Sequence, residues 1–436
     1  MGCSSSIDKN PPFPKLGVTM KAFQQFIDNC GGEGKLLNLT TDQVKDQFLI
    51  KRINNPKLSY CEYLLAKKDS GVGAPTVFIS HAWAYKFLDV FNALKNYFKN
   101  NENVCIWFDL FSNNQSIAVD LAFDWWTGTF QQAIKKIGNT VMVLAPWQNP
   151  EPLRRAWCLF EVYCTHITDS EFHVALSNSE EKRFIESLIS DFGAIDNMLA
   201  QIDVEQSKAR NLVDKEKIFG IIEGQVGFEN LNKMVLNRMH VWIIETAVKI
   251  MQSYSPENKP KLQLALGALY TKRGEFSEAE KYILQSLEAR RKLFGEANIQ
   301  TLQSVNSLCL LYSKQGRVKE AKSMYEICLK ACETVHGANS PETLKVLSNL
   351  SDLLGPERIH EVQSNLERIY EGFKQSLGED DPATLVAMNK LGVTYFKNGL
   401  WAAAEDIYLK CYVRRQAKLG YDHPDTLITC TYKYII

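Results

Sequence analysis

The chain has 436 residues, of which 45% are apolar and 23% are charged, and its formal net charge is zero. A chain of this length is expected to form two to four domains, and the composition is ordinary for a soluble globular protein. Because the basic and acidic residues balance, no overall positive field favours nucleic acid, and we expect no nucleic-acid partner.

The cysteines and histidines do not indicate a metal site. The eleven cysteines are scattered without a CxxC pair, and the seven histidines do not combine with them at zinc-ligand spacing. The sequence shows no secretory signal peptide and no apolar run long enough to span a bilayer. We therefore expect reduced thiols in the cytosol, no metal and no resident cofactor.

The first residues, MGCSSS, match the pattern for N-myristoylation of Gly2, with Ser6 at the favoured position. Cys3 is then a candidate for palmitoylation, since one myristoyl chain alone gives only marginal membrane binding. The tail through residue 17 is polar and rich in proline, as a flexible tether would be. These features predict a protein that its N-terminal lipids anchor to the inner leaflet, at the cytoplasmic face of a membrane. Part of the protein is also expected in the cytoplasm. The alternative is a tail that is never modified.

Residues 18–70 are predicted to form a small helical segment. Residues 71–180 alternate apolar strands with helix-like segments, and the strands are APTVFISHAW, NVCIWFDLF, NTVMVLAPW and EFHVAL. Continuous apolar strands separated by helices favour a parallel sheet that is covered on both faces. Ligands of such sheets bind beyond the carboxyl ends of the strands. Residues 181–257 are mainly amphipathic helix and are interpreted as a connector.

Residues 258–436 contain an internal repeat. Four segments align, namely GEANIQTL, GANSPETL, GEDDPATL and GYDHPDTL, and they start 42, 41 and 42 residues apart. A period of this length with two helices in each unit predicts an α-solenoid. The third unit is irregular, because LLGPERIHEV replaces the usual turn. The region resembles the long tetratricopeptide repeats (TPR) of kinesin light chains, which implies that a protein or peptide binds in its groove.

One helix carries an isolated acid. In PLRRAWCLFEVYC, helical spacing puts Leu153, Trp157, Glu161 and Cys164 on one face, and Glu161 is the only charged side chain from residue 156 to residue 165. A carboxylate in an apolar stripe either forms an ion pair with Arg154, Arg155 or a neighbouring helix, or belongs to a functional site.

This helix, together with TVMVLAPW before it, resembles the third strand and following helix of a Toll/interleukin receptor (TIR) domain. VFISHAW and IWFDLF resemble the first two strands of that family. The resemblance implies a flavodoxin-like α/β domain, followed here by the all-α TPR solenoid in a multidomain chain. In TIR domains that cleave NAD, the acid equivalent to Glu161 is catalytic, and the loop from Leu110 to roughly Asp120 is mobile over the site. The resemblance also implies that the domain associates with other TIR-like domains and that the protein forms a homo-oligomer.

The resemblance and the strand ends together identify candidate contacts with NAD as a possible substrate. Aromatic rings can stack on the adenine or nicotinamide, and small polar side chains can hold hydroxyl groups. The substrate-binding candidates are Ser80, His81, Trp83, Asp109, Phe111, Trp147 and Trp157. For each of them, packing in the core or capping of a turn is the alternative.

Two functions therefore remain open. The first is a membrane-tethered signalling enzyme, an NAD⁺ nucleosidase active when clustered, whose repeats bind a protein partner. The second is a non-catalytic scaffold in which the TIR-like domain self-associates and the repeats bind partners or cargo. A kinesin-light-chain-like cargo adaptor rests on the repeats alone, since coiled-coil heptads are missing. A Glu161 carboxylate that is open to a pocket and lacks a cationic partner favours the enzyme.

Overall fold

The computed structural model describes residues 14–117, 123–190, 192–252, 254–296, 298–421 and 423–435. Its contacts divide the chain into two compact units, Met1–Ile250 and Met251–Ile436. The segments predicted at 18–70 and 71–180 lie in the first unit, together with most of the predicted connector. Gly2 and Cys3, the predicted lipidation sites, lie outside the described residues. Within the described part of the chain, no helix is long and apolar enough to cross a membrane.

A six-stranded sheet organises the first unit. Its strands are β1 (Gly17–Thr19), β2 (Val72–Gly73), β3 (Val77–Ser80), β4 (Cys105–Trp107), β5 (Asn139–Val143) and β6 (Glu171–Ala175). The order across the sheet is β2-β1-β4-β3-β5-β6. The four strands from β3 to β6 are parallel, while β1 runs antiparallel to both β2 and β4. The four predicted strands are thus present, and two short strands extend the sheet on one side.

Helices surround this sheet. They are α1 (Met20–Asn29), α2 (Glu33–Leu36), α3 (Thr41–Val44), α4 (Ile50–Ile53), α5 (Tyr60–Ala66), α6 (Phe87–Tyr97), α7 (Asp109–Ser112), α8 (Phe123–Ile137), α9 (Ala156–Ile167), α10 (Asn178–Ser190), α11 (Phe192–Leu199), α12 (Leu212–Gln225) and α13 (Phe228–Met251). A π-helical segment, Lys45–Leu49, joins α3 to α4, and a 3₁₀ turn, Glu151–Arg154, precedes α9. Every residue of β3 is buried, as expected for a strand covered on both faces.

The N-terminal helices share the core of the sheet. Phe23 of α1 lies with its ring centroid 5.4 Å from Phe87 and 5.3 Å from Phe108, which follows β4. Phe26, one turn later, is 5.0 Å from Phe111. The predicted small helical segment is therefore one layer of the α/β unit, and its aromatic face covers the sheet.

The second unit is a series of paired helices. They are α14 (Lys259–Arg273), α15 (Phe276–Phe294), α16 (Ile299–Lys314), α17 (Val318–His336), α18 (Pro341–Asp352), α19 (Ile359–Leu377), α20 (Pro382–Lys397), α21 (Trp401–Leu419) and α22 (Pro424–Ile435). Gly274 ends α14 in the left-handed conformation, at φ 76°. In the irregular third unit α18 is short, and a 3₁₀ turn, Pro356–Arg358, leads into α19.

Close helix contacts in the second unit depend on small residues. A Cβ added to Gly392 would lie 2.8 Å from Cε1 of Tyr408, whose side chain is fully buried. We expect Gly392→Ala to lower the free energy of unfolding by about 1–3 kcal/mol, because the added methyl group would overlap a fully buried ring. Gly220→Ala in α12, where nothing lies within 4 Å, is the control and should not destabilise. Urea unfolding followed by circular dichroism measures the midpoint of each variant relative to the wild-type chain. If Gly392→Ala lowers the midpoint no more than Gly220→Ala does, Gly392 is not required for close packing against Tyr408.

Candidate functional site

A cleft of about 860 Å³ opens at the carboxyl edge of the parallel strands. Its walls include His81 and Trp83 after β3, Asp109 after β4, and Trp157 and Glu161 on α9. The volume falls in the range of small-molecule sites, and the position is where ligands of parallel sheets bind. Five of the predicted site residues therefore meet at one cleft.

Glu161 lies one turn into α9, with its side chain turned toward the cleft. The residue is 8% exposed, and its Oε2 atom has no hydrogen-bond partner among the residues that the structure describes. Among the described residues it has no ion pair, since Arg154 instead lies 3.6 Å from Glu151 Oε2 and also contacts Asn149. The structure thus shows no ion pair between Glu161 and Arg154 or Arg155, which was one structural role that the sequence left open.

The environment of Glu161 favours its neutral form. Burial raises the pKa of the carboxyl to about 8, and the nearby charge of Asp109 raises it further. The Ser80 hydroxyl and the Arg155 guanidinium oppose this shift without cancelling it. The neutral form of Glu161 is therefore favoured near pH 7, and a cationic group in the cleft would favour its ionisation.

Asp109 connects the two strand ends that flank the cleft. The Trp83 Nε1–H group donates a hydrogen bond of 2.5 Å to Asp109 Oδ2, and Asp109 Oδ1 lies 3.7 Å from His81 Nδ1. Burial lowers the pKa of His81 below its usual value even though Asp109 favours the charged ring, so the ring is neutral at pH 7. Its Nε2 atom is buried and has no hydrogen-bond partner in the described part of the chain. Asp109 therefore holds the side chains of Trp83 and His81 in place in the wall of the cleft.

Three predicted contacts lie elsewhere. Ser80 is buried beside Glu161 and is not part of the cleft surface. Phe111 is fully buried against Phe26, and Trp147 is fully buried with its ring 5.2 Å from Phe184. The prediction that Phe111 and Trp147 stack on a substrate is wrong, because helices α1 and α10 cover these rings.

The structure adds residues that the sequence did not single out. Trp126 and Phe130 of α8 line the cleft, and Gln115 donates a 2.8 Å hydrogen bond to the Asp109 carbonyl. Gln115 belongs to the predicted mobile loop, which the structure describes up to Ile117, so that its end at Asp120 lies outside the described residues. In the sequence, the adjacent pair Trp125-Trp126 was the feature that could have indicated that α8 lines the cleft.

Segments outside the four parallel strands complete the cleft. Thr40, Asp42 and Lys45 line it from the N-terminal layer, and residues 208–211 with Asp214 line it from the chain after β6. The second segment is held against the start of α9, where Ala156 N–H donates to the Lys208 carbonyl over 2.9 Å. One chain thus surrounds Glu161 from several directions.

Comparison with known proteins identifies the second unit. Models described as tetratricopeptide repeat match residues 259–326, 300–375 and 384–425. A search of curated proteins found no match. One similar solved structure holds nearly identical TPR-like repeats of a Podosopora anserina protein described as a kinesin light chain. It is 18% identical, with 42% of this chain and 89% of that chain covered and a TM-score of 0.35.

A second similar structure is BtubC (BKLC) from P. vanneervenii. It is also 18% identical, with 56% of this chain and 92% of that chain covered and a TM-score of 0.36. The matched repeat models all lie in the second unit, in the region where the sequence shows its internal period. The second unit of the chain is therefore an array of tetratricopeptide repeats.

Proposed function

We propose that the chain is a protein-binding scaffold whose tetratricopeptide repeats hold a protein or peptide partner. The repeat match over residues 259–375 and 384–425 carries this proposal. Stacked helical repeats present a long continuous surface, which suits extended partners. That surface carries exposed apolar side chains, including Leu310 on α16 and Val386 on α20, which are 52% and 45% exposed.

The repeat surface can be tested by charge substitution. We expect the double variant Leu310→Glu, Val386→Glu to lose the proteins that the wild-type chain captures after crosslinking in a cell extract. Leu65→Glu, at a comparably exposed leucine of α5 in the first unit, is the matched control and should keep them. Capture of the same proteins by the double variant would show that this surface does not bind the partner.

A specific observation favours a second function, in the first unit. We propose that the α/β unit cleaves the nicotinamide–ribose bond of NAD, with the carboxylate of Glu161 as the catalytic group. The unpaired, buried carboxyl of Glu161 at the cleft carries this proposal. The resemblance to TIR domains supports it, and so does strand order, because the four parallel strands follow the order 2-1-3-4 of flavodoxin-like sheets.

The chemistry requires few groups. As the bond between C1′ and the nicotinamide nitrogen breaks, its electron pair moves to the ring, which leaves as a neutral molecule, and positive charge develops on the ribose. Ionised Glu161 stabilises that charge in water-poor surroundings. Water then bonds to C1′ and releases one proton, giving ADP-ribose and nicotinamide. Trp83, fixed by Asp109, lines the cleft with a half-buried ring.

The pH dependence of nicotinamide release tests this role. The titratable groups that interact with Glu161 are Asp109, Arg155, Cys158 and Cys164, and His81 lines the same cleft. Because the carboxyl must ionise and its pKa is about 8, kcat/KM should rise about tenfold per pH unit below pH 8 and level off above it. A profile that is flat between pH 6 and pH 9 would exclude Glu161 as the ionising group.

We further propose that myristoyl on Gly2 and palmitoyl on Cys3 hold the protein at the inner leaflet, where TIR-like domains of several copies associate. Concentrating chains on a surface raises the effective concentration for association. In a eukaryotic cell, Gly2→Ala should move the protein from the membrane fraction to the supernatant. A distribution that this substitution leaves unchanged would contradict the anchor.

A further inference from the structure

The mouth of the cleft is formed by a segment outside the strands that resemble a TIR domain. Lys208 and Arg155 face each other across a parallel β-bridge between the chain after β6 and the start of α9. Hydrogen bonds on both sides fix this bridge, from Lys208 N–H to the Arg154 carbonyl at 2.7 Å and from Ala156 N–H to the Lys208 carbonyl at 2.9 Å. Residues paired across a bridge direct their side chains to the same side. Both residues line the cleft.

These two cations differ from the other two at the cleft. Lys45 and Arg210 both bind Asp42, at 2.9 Å and 3.0 Å. Within the described ranges, neither Arg155 nor Lys208 has a carboxylate within ion-pair distance. Arg155 is half-buried, and a guanidinium that loses water without gaining an acidic partner is unfavourable. Arg155 and Lys208 therefore lie side by side at the cleft without a direct acidic partner among the described residues.

The floor of the cleft would accept an anion near this pair. Burial raises the pKa of Glu161, which favours its neutral form and weakens its repulsion of a negative group. His81 has a buried Nε2 atom for which the described residues supply no hydrogen-bond partner. Half-buried rings of Trp83, Trp126 and Trp157 line the same space, and planar bases stack on such rings.

We propose that Arg155 and Lys208 bind the pyrophosphate of a nucleotide ligand, whose base and ribose lie among the tryptophans. This inference rests on the proposed role of the cleft and names its ligand class as nucleoside diphosphates and their ribosyl or dinucleotide esters. Two adjacent cations match the two charges of a pyrophosphate diester. The planar guanidinium donates two parallel hydrogen bonds, and the ammonium adds a second charge.

Calorimetric titration of the full chain with ADP-ribose, ADP and adenosine tests the proposal. We expect ADP-ribose and ADP to bind at least tenfold more tightly than adenosine. Arg155→Gln and Lys208→Gln should each weaken ADP-ribose binding by about tenfold and leave adenosine unchanged. Arg154→Gln and Lys215→Gln are the matched controls, since neither residue lines the cleft. Equal affinity of the wild-type chain for ADP-ribose and adenosine, or no binding of ADP-ribose, would overturn the proposal without any variant.

The same variants separate this inference from the proposed catalysis. If ADP-ribose binding depends on Arg155 and Lys208 but NAD is not cleaved, the pyrophosphate site stands and the enzyme proposal fails. If NAD is cleaved with the same KM by wild type and by Arg155→Gln, catalysis stands and the pyrophosphate site is refuted. Arg155→Lys, which keeps the charge and loses the planar fork, should bind ADP-ribose with an affinity between those of wild type and Arg155→Gln.

Discussion

Glu161→Gln is expected to stabilise the first unit at pH 8 by on the order of 4 kcal/mol, and by only about 1 kcal/mol at pH 5. The pKa of this carboxyl is about 8 in the folded chain, against 4.5 for an ordinary glutamate. Between these values the folded state keeps a proton that the unfolded state releases. Stability of the wild-type chain is therefore lost as the pH rises through this window. Glutamine, which does not ionise, avoids that loss.

Urea unfolding followed by tryptophan fluorescence measures this difference, because all tryptophans except Trp401 lie in the first unit. Glu205→Gln is the matched control, since Glu205 is exposed and should give the same small effect at both pH values. If Glu161→Gln and wild type show equal stability at pH 8, the carboxyl is solvated or paired in solution, and the structural argument for its special state fails.

Glu161→Gln is also expected to reduce kcat/KM for NAD at pH 8 by about 10²–10³-fold. The amide keeps the size and shape of the side chain but cannot carry the negative charge that stabilises the cationic ribose. Nicotinamide release, quantified by chromatography, gives the rate. Glu205→Gln should remain as active as wild type.

Gained stability together with lost activity would identify Glu161 as a residue held in an unfavourable state for function. Gained stability with unchanged nicotinamide release would instead show that the buried acid has no part in the reaction. For Glu161→Gln, the stability measurement therefore reports on the buried state of the carboxyl, and nicotinamide release reports on its role in the reaction.

Much of the architecture could be predicted from local patterns. The four parallel strands of the sheet are continuous apolar runs, and the repeats are recognisable by their period of about 42 residues. Glu161 was identifiable because an acid stood alone in an apolar helix face. The flanking strands β1 and β2 were not predicted, since they are only three and two residues long and carry little pattern.

The cleft was predicted only in part, because burial depends on distant segments. Trp83 and Trp147 both follow strands, yet Trp83 faces the cleft while Trp147 is enclosed against Phe184 of α10. Nothing in the residues next to Trp147 shows that enclosure. Lys208 reaches the site by a bridge to Arg155, which is 53 positions earlier in the chain. Local sequence patterns carry no information on such pairings.

Nicotinamide release from NAD at pH 8 tests the proposed catalysis most directly, with the wild-type chain both free and gathered on vesicles through a C-terminal histidine tag. We expect release above the protein-free blank, with a higher rate per chain on vesicles than in solution. Absence of release in both states, with a folded chain and intact ADP-ribose binding, would contradict catalysis. The chain would then be a repeat scaffold that binds a nucleotide without cleaving it.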